Sequence, residues 1–449
     1  MQSSPSLKRR AFLALGGSAL VAGCTSLAGS DTGSPTTTSL PPLDHERLRQ
    51  AASRRVPENP PEAPVDGMDT YLERGRRRTR ELLARFDERI GDVGDDADIE
   101  GMREIASRAE TALQKSTTAD VNSRALVEVR SARSDAAEAL WWARAVLGEV
   151  NLGDALDTRR PVRDRLSEFR QRNWYIGPGI DTTLVAAKRV EGWADACENA
   201  IDAADSQEAI SRVYRIGKAA GRVEAARSFL DDATFFVERL RMSETTDYAA
   251  AFEDVVDSVG NSLLKTVDSI DPRYAEKPKE MFEHEISNAS AELVSRAYGG
   301  TAYHANWLRE FKSSGAAASA LVYATATSRD LRVFKDTRSA IEENGSVYPR
   351  LESADRIDDA KRGLVTTIED VWQNPTHPGV ESFHVYQLAI EVGNADHRMK
   401  TVLEGNYTEG QIYDAALELW AVPTLAEKRL VKQSTAITDL FEEINGDNS

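Results

Sequence analysis

From about Gly67 to the C-terminus, apolar residues recur at steps of three and four, the spacing that lines up one face of an α-helix. In YAAAFEDVVDSVGNSLLKTVDSI the repeating positions are Tyr248, Phe252, Val255, Val256, Val259, Leu263, Val267 and Ile270. Residues 206–242 carry a second stripe through Val213, Ile216, Ala220, Val223, Leu230, Ala233, Val237 and Leu240. At ~1.5 Å rise per residue, that stripe predicts a helix about 50 Å long. A third stripe, over 121–147, runs through Val121, Val129, Ala132, Ala136, Leu140 and Leu147. Period-two alternation is scarce, so no sheet of any size is expected.

Proline placement agrees. A proline inside a helix costs ~3 kcal/mol, and beyond Pro64 only Pro161, Pro178, Pro272, Pro278, Pro349, Pro375, Pro378 and Pro423 remain. Long helices fit in the gaps between them. Asp271-Pro272 is a helix-start signal, and Thr408-Glu-Gly-Gln411 and Thr424-Leu-Ala-Glu427 match the capping box. Gly299-Gly300 predicts a break or kink. Ten to thirteen helices with short connections make an all-α fold of long antiparallel helices, in one extended bundle or two in series. Roughly 380 residues exceed what one core supports. The stretch DPRYAEKPK therefore divides the body into bundles over 67–270 and 271–449.

The N-terminus reads differently. In LKRRAFLALGGSALVAGC, Lys8, Arg9 and Arg10 precede a mild apolar run from Phe12 to Ala22. That run is well short of the ~20 residues that span a bilayer, and the pattern is that of a cleavable export signal. Arg9 and Arg10 followed by Phe12 and Leu13 resemble the twin-arginine signal. Val21, Ala22, Gly23 and Cys24 resemble a lipobox. The resemblance, confined to residues 7–24, is to haloarchaeal-type twin-arginine-exported lipoproteins. It implies removal of residues 1–23 and attachment of membrane lipid to the Cys24 thiol, whose thiolate is the nucleophile such alkylation needs. It implies a place on the extracytoplasmic face of the cell membrane. Two hydrocarbon chains hold durably where one holds marginally, at ~0.8 kcal/mol per buried CH2. Residues 24–66, rich in Ser, Thr and Pro, then read as a disordered stalk. Within it, Leu43 to Val56 is expected to form a short helix carrying Arg47, Arg49, Arg54 and Arg55.

Charge sharpens this picture. The formal net charge is −17, and loss of residues 1–23 takes it to −20. Only 13 of the 56 cations are lysine. An acidic, lysine-poor surface behind such a signal looks halophilic. The charge argues against nucleic acid as a partner and against lying flat on anionic lipid. Cys24 and Cys197 are the two cysteines. With Cys24 lipidated no disulfide forms, and Cys197 is expected to be a small core hydrophobe.

Candidate chemistry is sparse. Trp174 and Tyr175, ahead of Gly177-Pro178-Gly179, could stack on a ligand from a loop or fold back into the core. His304 and Trp307 share a helix face and suggest a pocket or plain packing. Glu381-Ser-Phe-His384 is the Glu-x-x-His step of di-iron bundles. No second copy exists, so Glu381 and His384 are weak metal candidates even with His377 and His397 nearby. There is no His-Glu-x-x-His, Gly-x-Ser-x-Gly, P-loop or Cys-x-x-Cys, and no cofactor is expected. The reading is a lipid-anchored surface binding or scaffold module with an unknown extracytoplasmic partner. The alternatives are a surface enzyme on a helical bundle, metal-dependent or not, and a transporter's solute-binding lipoprotein. The last fits the address but not the helical body.

Overall fold

A computed structural model describes residues 43–57, 67–94, 98–172, 174–205, 211–242, 245–344, 351 and 353–446. The export signal and Cys24 lie outside these residues. The fold is all-α. The strand pairing among the described residues is a two-residue antiparallel ladder, Ile176–Gly177 (β1) with Thr246–Asp247 (β2), Ile176 opposite Asp247. The described residues separate into two units: 67–249, and 43–57 together with 250–446.

Helix α1 (His45–Ser53) belongs to the second unit. The first unit comprises α2 (Met68–Ile90), α3 (Ile99–Thr118), α4 (Asn122–Val146), α5 (Leu152–Asp157), α6 (Arg159–Arg170), α7 (Ile180–Ala203) and α8 (Arg212–Leu240). Helix α4 sits at its centre and packs on α2, α3 and α8. Small residues set how closely α4 and α8 approach. A Cβ on Gly217 would lie 2.7 Å from the Glu138 carbonyl oxygen, and one on Gly221 would lie 3.0 Å from the Ser134 carbonyl oxygen. The Ser134 hydroxyl donates to the Gly221 carbonyl at 3.1 Å, and Ala132, Ala136, Ala139 and Ala143 of α4 are fully buried. Each glycine costs ~1 kcal/mol of helix propensity; close backbone contact offsets it through dispersion.

The second unit holds α9 (Ala249–Val255), a π turn at Val256–Gly260, α10 (Asn261–Asp268), α11 (Arg273–Glu276), α12 (Asn288–Ser314), α13 (Ala317–Asn344), α14 (Asp355–Gln373), α15 (Pro378–Glu404) and α16 (Glu409–Gly446). The division between units falls at Ala249, not at residue 271. The reason is packing: Leu263 and Ile270, ahead of the proline-bearing connector, lie against the core of the second unit. The Thr408 capping box forms. The Gln411 side chain accepts from the Thr408 N–H at 2.9 Å, and Thr408 Oγ1 accepts from the Gln411 N–H at 3.3 Å. The Thr424 box does not. Helix α16 runs 38 residues straight through Pro423, and Thr424 Oγ1 donates back to the Trp420 carbonyl at 2.8 Å. Burial of Leu419, Trp420, Ala421, Pro423 and Leu425 outweighs the hydrogen bond that proline removes. Helix α12 likewise continues through Gly299-Gly300.

The expected stalk is not one uninterrupted tether, because α1 docks on the second unit. The Asp44 carboxylate caps it, accepting from the Glu46 and Arg47 N–H groups at 3.0 and 3.2 Å. Leu48, Ala51 and Ala52 are buried in the core. Arg47 donates to Asp355 at 2.8 Å, and Arg54 forks onto Asp358 at 2.8 and 2.9 Å. At the helix end the ammonium of Lys361, itself fully buried, donates to the carbonyls of Ala51 (2.7 Å) and Arg54 (3.1 Å) and to Asp396. Burial pushes the Asp396 carboxyl up to about 6 despite the attraction of Lys361. Burial likewise depresses the Lys361 ammonium.

Candidate functional site

In the first unit a cavity of about 640 Å³ opens beside α2, α4 and α8. Its floor is a buried ionic cluster. Arg133 of α4 is 6 % exposed. It donates to Glu224 at 2.9 and 3.1 Å, to Ser228 at 3.3 Å and to Asp231 at 3.2 Å, all on α8. Buried charges persist only where they are paired and hydrogen-bonded, and this cluster meets that condition across the two helices. Glu224 also receives Arg227 at 2.6 Å and Arg78 at 3.4 Å. Burial alone would raise the Glu224 carboxyl, but Arg133, Arg227 and Arg78 hold it below its usual range. Asp231 also receives Arg165 at 3.1 Å. Deeper in, Asp232 accepts from the Tyr71 hydroxyl at 2.5 Å and from Arg130 at 2.6 Å. Burial raises both the Asp232 carboxyl and the Tyr71 phenol, so the phenol stays protonated and donates. Tyr71 stacks on Phe235 at 4.3 Å between ring centroids, which gives the cavity an apolar wall.

The second unit has its own ionic cluster, and it is sealed. Asp330 of α13 is fully buried. It accepts from the Nε of Arg329 at 2.7 Å, meets His304 Nδ1 at 2.9 Å, and lies 3.3 Å from the Nε of Arg429. Arg429, on α16, also donates to Glu391 of α15 at 2.7 Å. Burial would raise the Asp330 carboxyl, but Arg329, Arg429 and His304 hold it far below its usual range. Gly300 makes room for this arrangement. A Cβ there would fall 2.0 Å from a guanidinium nitrogen of Arg429 and 3.0 Å from the Asp330 carboxylate. That steric demand, not a kink, is the use of glycine at this point of α12.

Trp174 and Tyr175 fold back onto the first unit. The Trp174 indole N–H donates to the Phe169 carbonyl at 3.0 Å and its ring stacks on Phe169. The Tyr175 hydroxyl donates to Glu191 at 2.9 Å. Glu381 is buried and accepts from the Thr376 N–H at 3.1 Å, and His384 Nε2 meets Thr325 Oγ1 at 2.8 Å. Both are thus built into the interior of the second unit. Among the described residues, no group of three or more His, Cys, Asp or Glu stands where it could hold a metal ion. His304 is buried on Asp330, while Trp307 stacks with Phe311 and Tyr323. Cys197 is fully buried, and burial pushes its thiol up to about 12, the state of an inert core thiol.

The cavity of the first unit was not anticipated from the sequence. Its signal is the segment RGRRRTR, Arg74 to Arg80, five arginines in seven residues of an acidic chain. Arg74, Arg77 and Arg78 of that segment line the cavity, while Arg76 turns to Ser116 of α3. Among the described residues, no helix is long and apolar enough to cross a membrane.

No curated protein and no solved structure matches the chain. Two family models do, meeting close to the division between the units. Residues 70–247 match the one described as Domain of unknown function (DUF8262), and residues 246–427 match Domain of unknown function (DUF8264).

Proposed function

We propose that this chain is a lipid-anchored, extracytoplasmic binding protein, held to the membrane through Cys24 and taking its ligand in the cavity beside α2, α4 and α8. The observation that carries the binding role is that cavity. It has a size typical of small-molecule sites, an aromatic wall, and a floor of charged groups fixed by mutual hydrogen bonds. Such a floor needs no reorganisation when a ligand arrives, which lowers the cost of binding. The anchor is supported by Arg9, Arg10, Phe12 and Leu13 and by Val21, Ala22, Gly23 and Cys24. The acidic, lysine-poor composition suits a protein working in concentrated salt.

Mass spectrometry of protein recovered from the membranes of an archaeal host with twin-arginine export tests the anchor. The expected N-terminal peptide begins at Cys24 and carries the added mass of a lipid. Cys24→Ser is expected to move the protein out of the membrane fraction. A chain that keeps residues 1–23, or a serine variant as firmly membrane-bound as the parent, would overturn the anchored reading.

A further inference from the structure

The charge of the cavity runs against that of the chain. In a molecule of net charge −17, this cavity is lined by six arginines and four carboxylates, with Arg130 and Glu224 joined to it through Asp232 and Arg133. Glu224 is shared by Arg78, Arg133 and Arg227, and Asp231 by Arg133 and Arg165. Two carboxylates therefore serve four guanidiniums. Asp232 is taken up by Arg130 and Tyr71. Glu81 and Glu238 line the same space without closing the deficit. Glu81 reaches Arg77 and Arg78 only at 3.9 Å. Arg74 makes no ion pair among the described residues, and the Arg77 side chain is 69 % exposed.

We infer that this cavity binds an organic anion, a phosphate or carboxylate group carried on an apolar body. Guanidiniums present planar forks of N–H donors that match the oxygens of either group, often two at a time. Arg74 and Arg77 have donors to spare, and they line the same cavity as the stacked Tyr71–Phe235 pair, whose surface left open beside Arg239 would meet the apolar body. Arg133 keeps its carboxylates and acts as the fixed floor. The ligand class rests on the cavity being the binding site proposed above.

Calorimetric titration of the full chain with phenyl phosphate, benzoate, inorganic phosphate and neutral benzyl alcohol tests this. One saturable site is expected for phenyl phosphate or benzoate, weaker binding for inorganic phosphate, and none for benzyl alcohol. The double variant Arg74→Gln/Arg77→Gln should lose at least tenfold in affinity while its melting temperature stays unchanged, because both side chains are exposed. Phe235→Ala should erase the advantage of phenyl phosphate over inorganic phosphate. Co-sedimentation with phosphatidylglycerol vesicles, against phosphatidylcholine controls, separates the sources. Vesicle binding that phenyl phosphate competes away and the double variant loses makes the anion a lipid headgroup; its absence makes it a free solute. No saturable binding of any anion, or affinity that survives the double variant, overturns the inference. Binding of benzyl alcohol alone would keep the cavity as the site and sink the anionic class. Cys24→Ser should leave every titration unchanged, so anchor and ligand fail separately.

Discussion

The two units solve one problem in two ways. Each buries charged groups across helices, at a desolvation cost that ion pairing offsets. In the second unit Asp330 sits at the middle with Arg329, Arg429 and His304 around it, and every side chain except Glu391 is closed to solvent. In the first unit Arg133 is equally buried, but its partner Asp231 is 30 % exposed and further arginines fan out into open space. A sealed, balanced cluster fixes how helices pack. An open cluster with surplus donors can do that and also meet something arriving from outside.

Removing the charge at the centre of the sealed cluster should have the largest effect. Asp330→Asn leaves two buried guanidiniums facing a neutral amide, and a loss of about 3–5 kcal/mol is expected in denaturant unfolding. A loss below about 1 kcal/mol would mean that water reaches this cluster and that the contrast with the first unit is false.

Next comes Lys361→Met. It strips donors from the carbonyls of Ala51 and Arg54 and the counter-charge from Asp396, for about 2–3 kcal/mol. Hydrogen exchange should show α1 losing protection while α2 keeps it. Gly300→Ala should cost about 1–3 kcal/mol by forcing Arg429 out of its seat, and Arg429→Met in the same chain should recover part of the loss. Smallest is Asp231→Asn in the open cluster, below about 1 kcal/mol, since Arg133 keeps Glu224.

Acidity gives a further contrast. The Asp396 carboxyl is raised from 3.8 to about 6 in the folded chain. Its proton is therefore held more tightly folded than unfolded, and its contribution to stability declines as pH rises from about 4 to 6. Asp330 behaves oppositely: held low, it stabilises above its unfolded value near 4, and that contribution fades as pH falls below it. Unfolding measured from pH 3 to 7 should show Asp396→Asn flattening the slope between pH 4 and 6. An unchanged slope in that variant would place the titration elsewhere.

Much of the fold was legible because helices report themselves locally. The stripes over 121–147 and 206–242 became α4 and α8, with ends shifted by a few residues where caps decide. The single helix expected over 248–270 took a π turn at Val256–Gly260, a hydrogen-bond shift that side-chain periodicity does not encode. Proline misled twice. Pro423 lies within a helix held by packing on both sides, and the prolines of DPRYAEKPK mark a connector inside the second unit. The ionic clusters were not legible because their members lie far apart in the chain, 91 residues for Arg133 and Glu224. Glu-x-x-His was visible in the sequence, and in the fold Glu381 meets Thr376 and His384 meets Thr325. The arginine run of α2 and the spacing Gly217-x-x-x-Gly221 stood in plain view; what they meant depended on which helix came alongside.

The docking of α1 limits how far the second unit can stand from Cys24. Only 18 residues lie between Cys24 and Leu43, and fully extended that span reaches no more than about 65 Å. Among the described residues, the first helix beyond Cys24 is α1, which belongs to the second unit. With Cys24 anchored as proposed, a pull on it would, along the chain, load α1 and the Lys361 clasp before it reached the first unit.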